Sequence, residues 1–137
     1  MAKTEKILVV DDERGIRYLL SDVLSDAGFE VSMAKDGQES LDQLKDKRFD
    51  LVITDINMPR LDGIEMLKRM KIAGRKEKVI IMTASILDLK LEEAEVPHVV
   101  KKLQKPFGMD SFLNVVIAAI ANGENVPGMG IRQTAAG

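Results

Sequence analysis

Four short stretches place groups able to do chemistry directly behind apolar runs. Asp11, Asp12 and Glu13 follow "ILVV" (7–10), and Asp55 follows "LVIT" (51–54). Thr83 follows "VIIM" (79–82), and Lys105 stands two residues past "VVKKL" (99–103), before Pro106. Singly, each has an ordinary explanation. An aspartate after a strand is usually a turn residue or helix N-cap, and Asp12 or Glu13 suits the cap of a following helix. Gathered in one place, they do something else. Two carboxylates about 5 Å apart repel by about 3 kcal/mol at an effective dielectric near 20, so three together need protons or a cation. Oxygen donors on loops, with no His or Cys nearby, suit Mg2+ better than zinc. The backbone carbonyl of Asn57 is within chain reach of the same place and can add an oxygen. A divalent ion beside a carboxylate, a lysine and a hydroxyl is an arrangement for phosphoryl transfer. Asp55 would then be a nucleophile that forms an aspartyl phosphate. Lys105 and the cation would offset charge on the transferring oxygens, and Thr83 would hydrogen-bond the group that arrives.

Such a meeting needs a fold that brings distant strand ends together. "KILVV" (6–10), "FEVSMA" (29–34), "DLVIT" (50–54), "KVIIMT" (78–83) and "VVKKL" (99–103) read as strands. Between them lie helical patterns. Ile16, Leu19, Leu20, Val23, Leu24 and Ala27 share one face, with Gly28 where a C′ residue belongs. Residues 37–47 form a second helix, apolar only at Leu41 and Leu44, and 63–71 a third with Ile64, Leu67 and Met70 inward. Residues 107–121 close with Phe112, Val115, Val116 and Ala119 on one face. In the stretch 84–106, "ILDLKLEEAE" reads as helix, but Pro97 disfavours helix just before it, so the fourth helix is expected to be short or irregular. Strands that are continuously apolar and alternate with helices point to a parallel sheet covered on both faces. The fold class is α/β: a doubly wound, five-stranded parallel sheet of order 2-1-3-4-5, flavodoxin-like. In that order strands one and three are neighbours, about 4.8 Å apart, and Asp11, Asp12 and Asp55 crowd into one pocket at the switch point.

Composition narrows the alternatives. A chain of 137 residues fits one domain, here 1–121, with residues 122–137, "NGENVPGMGIRQTAAG", as a flexible tail. The absence of Cys excludes disulfides, thiolate nucleophiles and Cys-ligated metals. The 20 basic and 22 acidic side chains leave a net charge of -2, and aromatics make up 4%, so no direct nucleic-acid binding is expected. With no run near the roughly 18 residues of a membrane span and no signal-like N-terminus, no membrane insertion and a cytoplasmic location are expected.

At these same residues the sequence resembles the receiver domain of two-component response regulators, and looks closest to stand-alone receivers. The matching stretches are "ILVVDDE" (7–13), "DLVITDINMPRLDGIEML" (50–67), "VIIMTA" (79–84) and "KPF" (105–107), in the family's order and spacing. The resemblance implies that Asp55 is the phosphoacceptor, that Asp11 and Asp12 are the acidic pair at a Mg2+ site, and that the Asn57 carbonyl ligates the same ion. It implies that Thr83 is the switch hydroxyl and that Lys105 pairs with the phosphate, with a cis Lys105–Pro106 bond. It also implies a phosphohistidine donor on a sensor histidine kinase or a histidine phosphotransfer protein, and a downstream protein target. The implied protein is a monomer or weak homodimer. It is a signalling domain rather than an enzyme with an external substrate, although it catalyses its own phosphotransfer and slow autodephosphorylation. Two departures fall on the family's signalling face, formed by the fourth helix, the fifth strand and the helix after it. The place three residues before the lysine, usually Tyr or Phe, holds Lys102, which can pair with Glu92, Glu93 or a partner's acids. Pro97 falls near the last turn of the fourth helix.

Other readings fare worse. A metal-dependent phosphatase of the haloacid dehalogenase class would need an acid two residues after its nucleophile, where Asn57 stands. Acids after strand one would repel a flavin phosphate, and no Gly-rich turn follows it. A receiver fold used as a constitutive interaction module is the remaining alternative, suggested by Lys102 and Pro97. Lone His98 reads as a loop or strand-edge residue, the basic run 68–78 as solvated helix end and loop, and Pro59 as a stiffener of the loop into the third helix.

Overall fold

The computed structural model describes residues 3–121, apart from Pro59, Asp88 and the side chain of Glu93; the expected tail and the part assigned to Pro59 therefore lie outside the described residues. Five strands, β1 (Lys6–Val10), β2 (Glu30–Ala34), β3 (Leu51–Asp55), β4 (Lys78–Thr83) and β5 (Val99–Gln104), form one parallel sheet of order β2-β1-β3-β4-β5. The helices are α1 (Arg14–Asp26), α2 (Gly37–Asp46), α3 (Gly63–Ile72) and α4 (Met109–Ala121). This is the doubly wound sheet expected from the sequence.

Strand alternation builds two cores. Leu8, Val10, Val52, Val79 and Ile81 face α2 and α3, joining Leu44, Met66, Leu67 and Met70. Ile7, Val9, Leu51, Ile53, Ile80 and Met82 face α1 and α4, joining Leu20, Leu24, Phe112 and Val116. Side chains buried on both faces explain why β1 and β3 are continuously apolar, each worth about 1.5–3 kcal/mol of transfer free energy. Met66, which the periodicity did not single out, is fully buried beside Leu67.

Helix ends follow local chemistry. Gly28 takes φ +98 just past α1, and its amide donates to the Ser25 carbonyl at 3.0 Å. The side chains of Asp36 and Asp62 cap α2 and α3, accepting from Glu39 N and Glu65 N at 2.8 Å each. Glu13 holds the N-cap position of α1 without a side-chain cap bond.

The fourth crossover departs most from regularity. Among the described residues it contains only the 3-10 helix Glu93–Glu95, tied to α3 by Lys68–Glu95 at 3.3 Å. Pro97 behind it is buried, and Leu89, Leu91 and Val96 cover the sheet face instead of a helix. β5 carries an extra residue relative to β4: Val79 pairs Val99, yet Ile80 pairs Lys101. Lys102 lies half-buried opposite Ile81 and, among the described residues, forms no ion pair. His98 is exposed at the start of β5, where its carbonyl accepts from Val79 N at 2.9 Å.

The basic run 68–78 is not uniformly solvated. Arg75 pairs with buried Glu77 at 2.5 Å and donates to the carbonyls of Leu44 and Lys47 at 2.9 and 2.8 Å, closing the C-terminal end of α2. Lys78 Nζ donates to Ala119 O at 2.8 Å near the end of α4. No helix among the described residues is long and apolar enough to cross a membrane.

Candidate functional site

β1 and β3 are hydrogen-bonded neighbours, with Val10 level with Thr54. The next residue of each strand, Asp11 just past β1 and Asp55 at the end of β3, therefore stands at the same edge of the sheet. Asp11 is fully buried, Asp55 nearly so, and Asp12 exposed. One carboxylate oxygen from each of Asp11, Asp12 and Asp55 lies within 4.8 Å of the others.

Lys105 joins this cluster from the far side of the sheet. Its Nζ donates to Asp11 Oδ2 at 3.0 Å and to Asp55 Oδ2 at 3.3 Å, and lies 3.8 Å from Glu13 Oε1. The Lys105–Pro106 bond is cis, as the resemblance implied, and Lys105 N donates to Thr83 O at 2.7 Å. Asp11 is held by its second oxygen, which accepts from Glu13 N at 2.9 Å, while its carbonyl accepts from Arg17 at 2.8 Å. Asp55 Oδ1 accepts from Ile56 N at 2.8 Å.

Thr83 ends β4, one residue beyond Met82, the partner of Asp55. Its hydroxyl accepts from Ser85 N at 3.2 Å rather than reaching the acids. Asn57 is exposed, two residues past Asp55 on the loop into α3.

Burial pushes the Asp55 carboxyl above its ordinary value, and the Asp11 charge adds to this; Lys105 and the Ile56 amide only partly offset it. Lys105 shows the reverse balance. Burial would lower it, but Asp11 and Asp55 outweigh burial and raise it, so the ammonium stays charged at neutral pH.

Sequence reasoning missed the backing of the site. Gly63, first residue of α3, sits against β3: its amide donates to Ile56 O at 2.9 Å. A Cβ there would run into the Asp55 carbonyl oxygen and come within 2.9 Å of Ile56 Cα. The "DG" pair was the available signal. Because the obstacle is backbone and cannot swing away, Gly63→Ala is expected to cost about 1–3 kcal/mol, measured by urea unfolding.

The receiver-domain profile of response regulators matches residues 7–117. The chain belongs to the response regulator receiver family. Receivers are signalling domains that interact with histidine kinases or phosphotransfer proteins. This receiver is 42% identical over 113 residues to sporulation initiation phosphotransferase F of Bacillus subtilis, an alignment covering 82% of this chain and 90% of that one. It is 38% identical to the transcriptional regulatory protein FixJ of Bradyrhizobium diazoefficiens, covering 86% of this chain but only 58% of FixJ. Among solved structures, response regulator TrrA of Thermotoga maritima, in complex with Mg2+ and BeF, superposes with a TM-score of 0.73 at 32% identity, covering 84% of this chain and 98% of that one.

The donor set at the acidic edge fits Mg2+. The three converging carboxylates bring only oxygen donors, and among the described residues the one cation paired with their side chains, Lys105, is shared between Asp11 and Asp55.

Proposed function

We propose that this receiver takes a phosphoryl group on Asp55 and signals through protein contacts that depend on it. The observation that carries the reading is the Lys105 ammonium spanning Asp11 and Asp55 at 3.0 and 3.3 Å beside a third carboxylate. Asp11, Asp12, Asp55 and the Asn57 carbonyl would hold Mg2+, which when bound supplies positive charge to the oxygens of the phosphoryl group. The Mg2+ and BeF bound to TrrA, and the phosphotransferase name of the Bacillus subtilis relative, agree with this.

A carboxylate oxygen of Asp55 attacks phosphorus. The O–P bond forms as the P–N bond of the donor phosphohistidine breaks, and the imidazole nitrogen leaves with the bonding pair. Lys105 then exchanges its contact with Asp55 for the phosphoryl oxygens, and the Thr83 hydroxyl leaves Ser85 to donate to them. Attack of water on the same phosphorus returns the carboxylate slowly. The donor is a sensor histidine kinase or histidine phosphotransfer protein, and the target is a further protein.

Acetyl phosphate with Mg2+ is expected to add a single phosphoryl group, seen by intact-protein mass spectrometry, and chelation of Mg2+ to prevent it. Lys105→Ala and Thr83→Ala should keep the acceptor but lose the switch, so partner affinity no longer responds. Uptake undiminished by chelation would sink the metal assignment.

The irregular fourth crossover and Lys102 favour one competing reading, a constitutive interaction module. Equal partner affinity before and after phosphorylation would establish it.

A further inference from the structure

The loop between Asp55 and α3 contains a residue that the phosphoacceptor chemistry does not account for. Arg60 adopts φ 66, a left-handed conformation that ordinarily falls to glycine or asparagine. Among the described residues it is the only non-glycine residue to do so. Its side chain is largely exposed, yet its Nε lies 3.2 Å from Oδ2 of Asp36, whose side chain is 4% exposed. Asp36 belongs to a different crossover, where its other oxygen caps α2 through Glu39 N. Arg60 is the one cation paired with it among the described residues.

The neighbouring contact runs the same way. Gly37 N donates to Leu61 O at 3.1 Å, and a Cβ on Gly37 would stand 2.5 Å from that oxygen. The loop is thus pinned through Arg60 and Leu61 to the start of α2, and at its end through Gly63 to Ile56, just past β3. Asn57 lies between these anchors and Asp55.

We propose that Arg60 is a positioning residue: its ion pair with buried Asp36 fixes the loop carrying Asn57, and thereby sets the affinity of the acidic edge for a divalent cation. The inference rests on the assignment of that edge to Mg2+. An unpaired left-handed arginine would gain by leaving its conformation, and the loop would leave with it. The Asp36 charge opposes this. The start of α2, remote in sequence, therefore takes part in metal binding without offering a ligand.

Isothermal titration of the unphosphorylated protein with MgCl2 tests this independently of phosphoryl uptake. Asp36→Asn is the sharper variant. An asparagine keeps its oxygen on Glu39 N as an N-cap, and so turns its amide N–H groups toward the guanidinium. Asp36→Asn and Arg60→Ala are each expected to weaken Mg2+ roughly tenfold, as loss of an outer positioning group typically does. The double variant should be no weaker than either single one, because both remove the same pair. Arg60→Gly, which is at ease with the backbone but has no charge, should also bind weakly.

Wild-type Mg2+ affinity in Asp36→Asn and Arg60→Ala, or losses that multiply in the double variant, would overturn the positioning role while leaving the metal assignment intact. Wild-type affinity in Arg60→Gly would show that only the backbone conformation matters, and would overturn it too. No Mg2+ binding by the unmodified protein would overturn the metal assignment and this inference together.

Discussion

Asp55→Asn is expected to take up no phosphoryl group from acetyl phosphate and to melt at a higher temperature than the parent protein. The first outcome follows from chemistry, since an amide oxygen is too weak a nucleophile and has no anion to offer. The second follows from the site's electrostatics. Asp55 is 7% exposed, and burial together with the Asp11 charge disfavours its ionised form despite Lys105. Asparagine keeps the acceptor for Ile56 N and leaves Lys105 paired to Asp11. It removes only the uncompensated part.

The effect depends on pH with a definite sign. Between 3.8 and its raised folded value, the carboxyl is still protonated in the folded state while its unfolded counterpart is already ionised. Stability therefore falls as pH rises through the window between the two. The advantage of Asp55→Asn should vanish below about pH 3.8, the unfolded value, and grow as pH rises above it. Paired melting curves at pH 7 and pH 3.5 check it. A variant less stable than the parent at pH 7 would mean that Lys105 over-compensates the buried charge.

Arg75→Ala is expected to cost about 3–5 kcal/mol, the usual consequence of stripping one partner from a buried pair. Glu77 has a side chain only 5% exposed, and without the guanidinium its remaining partner is Phe49 N at 3.3 Å. The carbonyls of Leu44 and Lys47 lose their donors in the same step. For a domain whose whole stability is about 5–15 kcal/mol, that brings unfolding within reach of ordinary temperatures. Arg75→Lys should restore little, because one ammonium cannot replace a fork that meets two carbonyls and a carboxylate. Arg75→Ala combined with Glu77→Met should recover much of the loss, since it no longer buries a bare charge. Urea denaturation of the three proteins decides it. A loss below about 1 kcal/mol in Arg75→Ala would place the pair among exposed salt bridges.

The acidic edge was legible because a parallel sheet converts strand order into proximity: once "LVIT" and "ILVV" are neighbours, Asp55 and Asp11 must meet. Lys105 could be read from its motif. Arg75 could not, because its meaning depends on Glu77 being buried against Phe49, and a run of lysines and arginines gives no sign of that. Gly63 and Arg60 were missed for a related reason. Periodicity registers which side chains face inward, but it is blind to where two backbones touch and where φ is positive. The fourth crossover was expected to be short or irregular because of Pro97, yet only the folded chain shows Leu89, Leu91 and Val96 covering the sheet in place of an α-helix.

The offset between β4 and β5 works like a reading frame. With Val99 opposite Val79, an even ladder would set Leu103 across from Thr83; the extra residue moves Leu103 back to Met82 and brings Gln104 to Thr83. Lys105 then begins the turn with its amide on the Thr83 carbonyl and its amine on the acids. An even ladder that kept Val100 would shift every later residue by one place, exchange the two faces of the strand end, and carry the lysine out of phase with Asp55, whereas deleting Val100 would leave the pairs from Lys101–Ile80 onward as they are. The charge that the carboxylates need is delivered by a count of residues far from them.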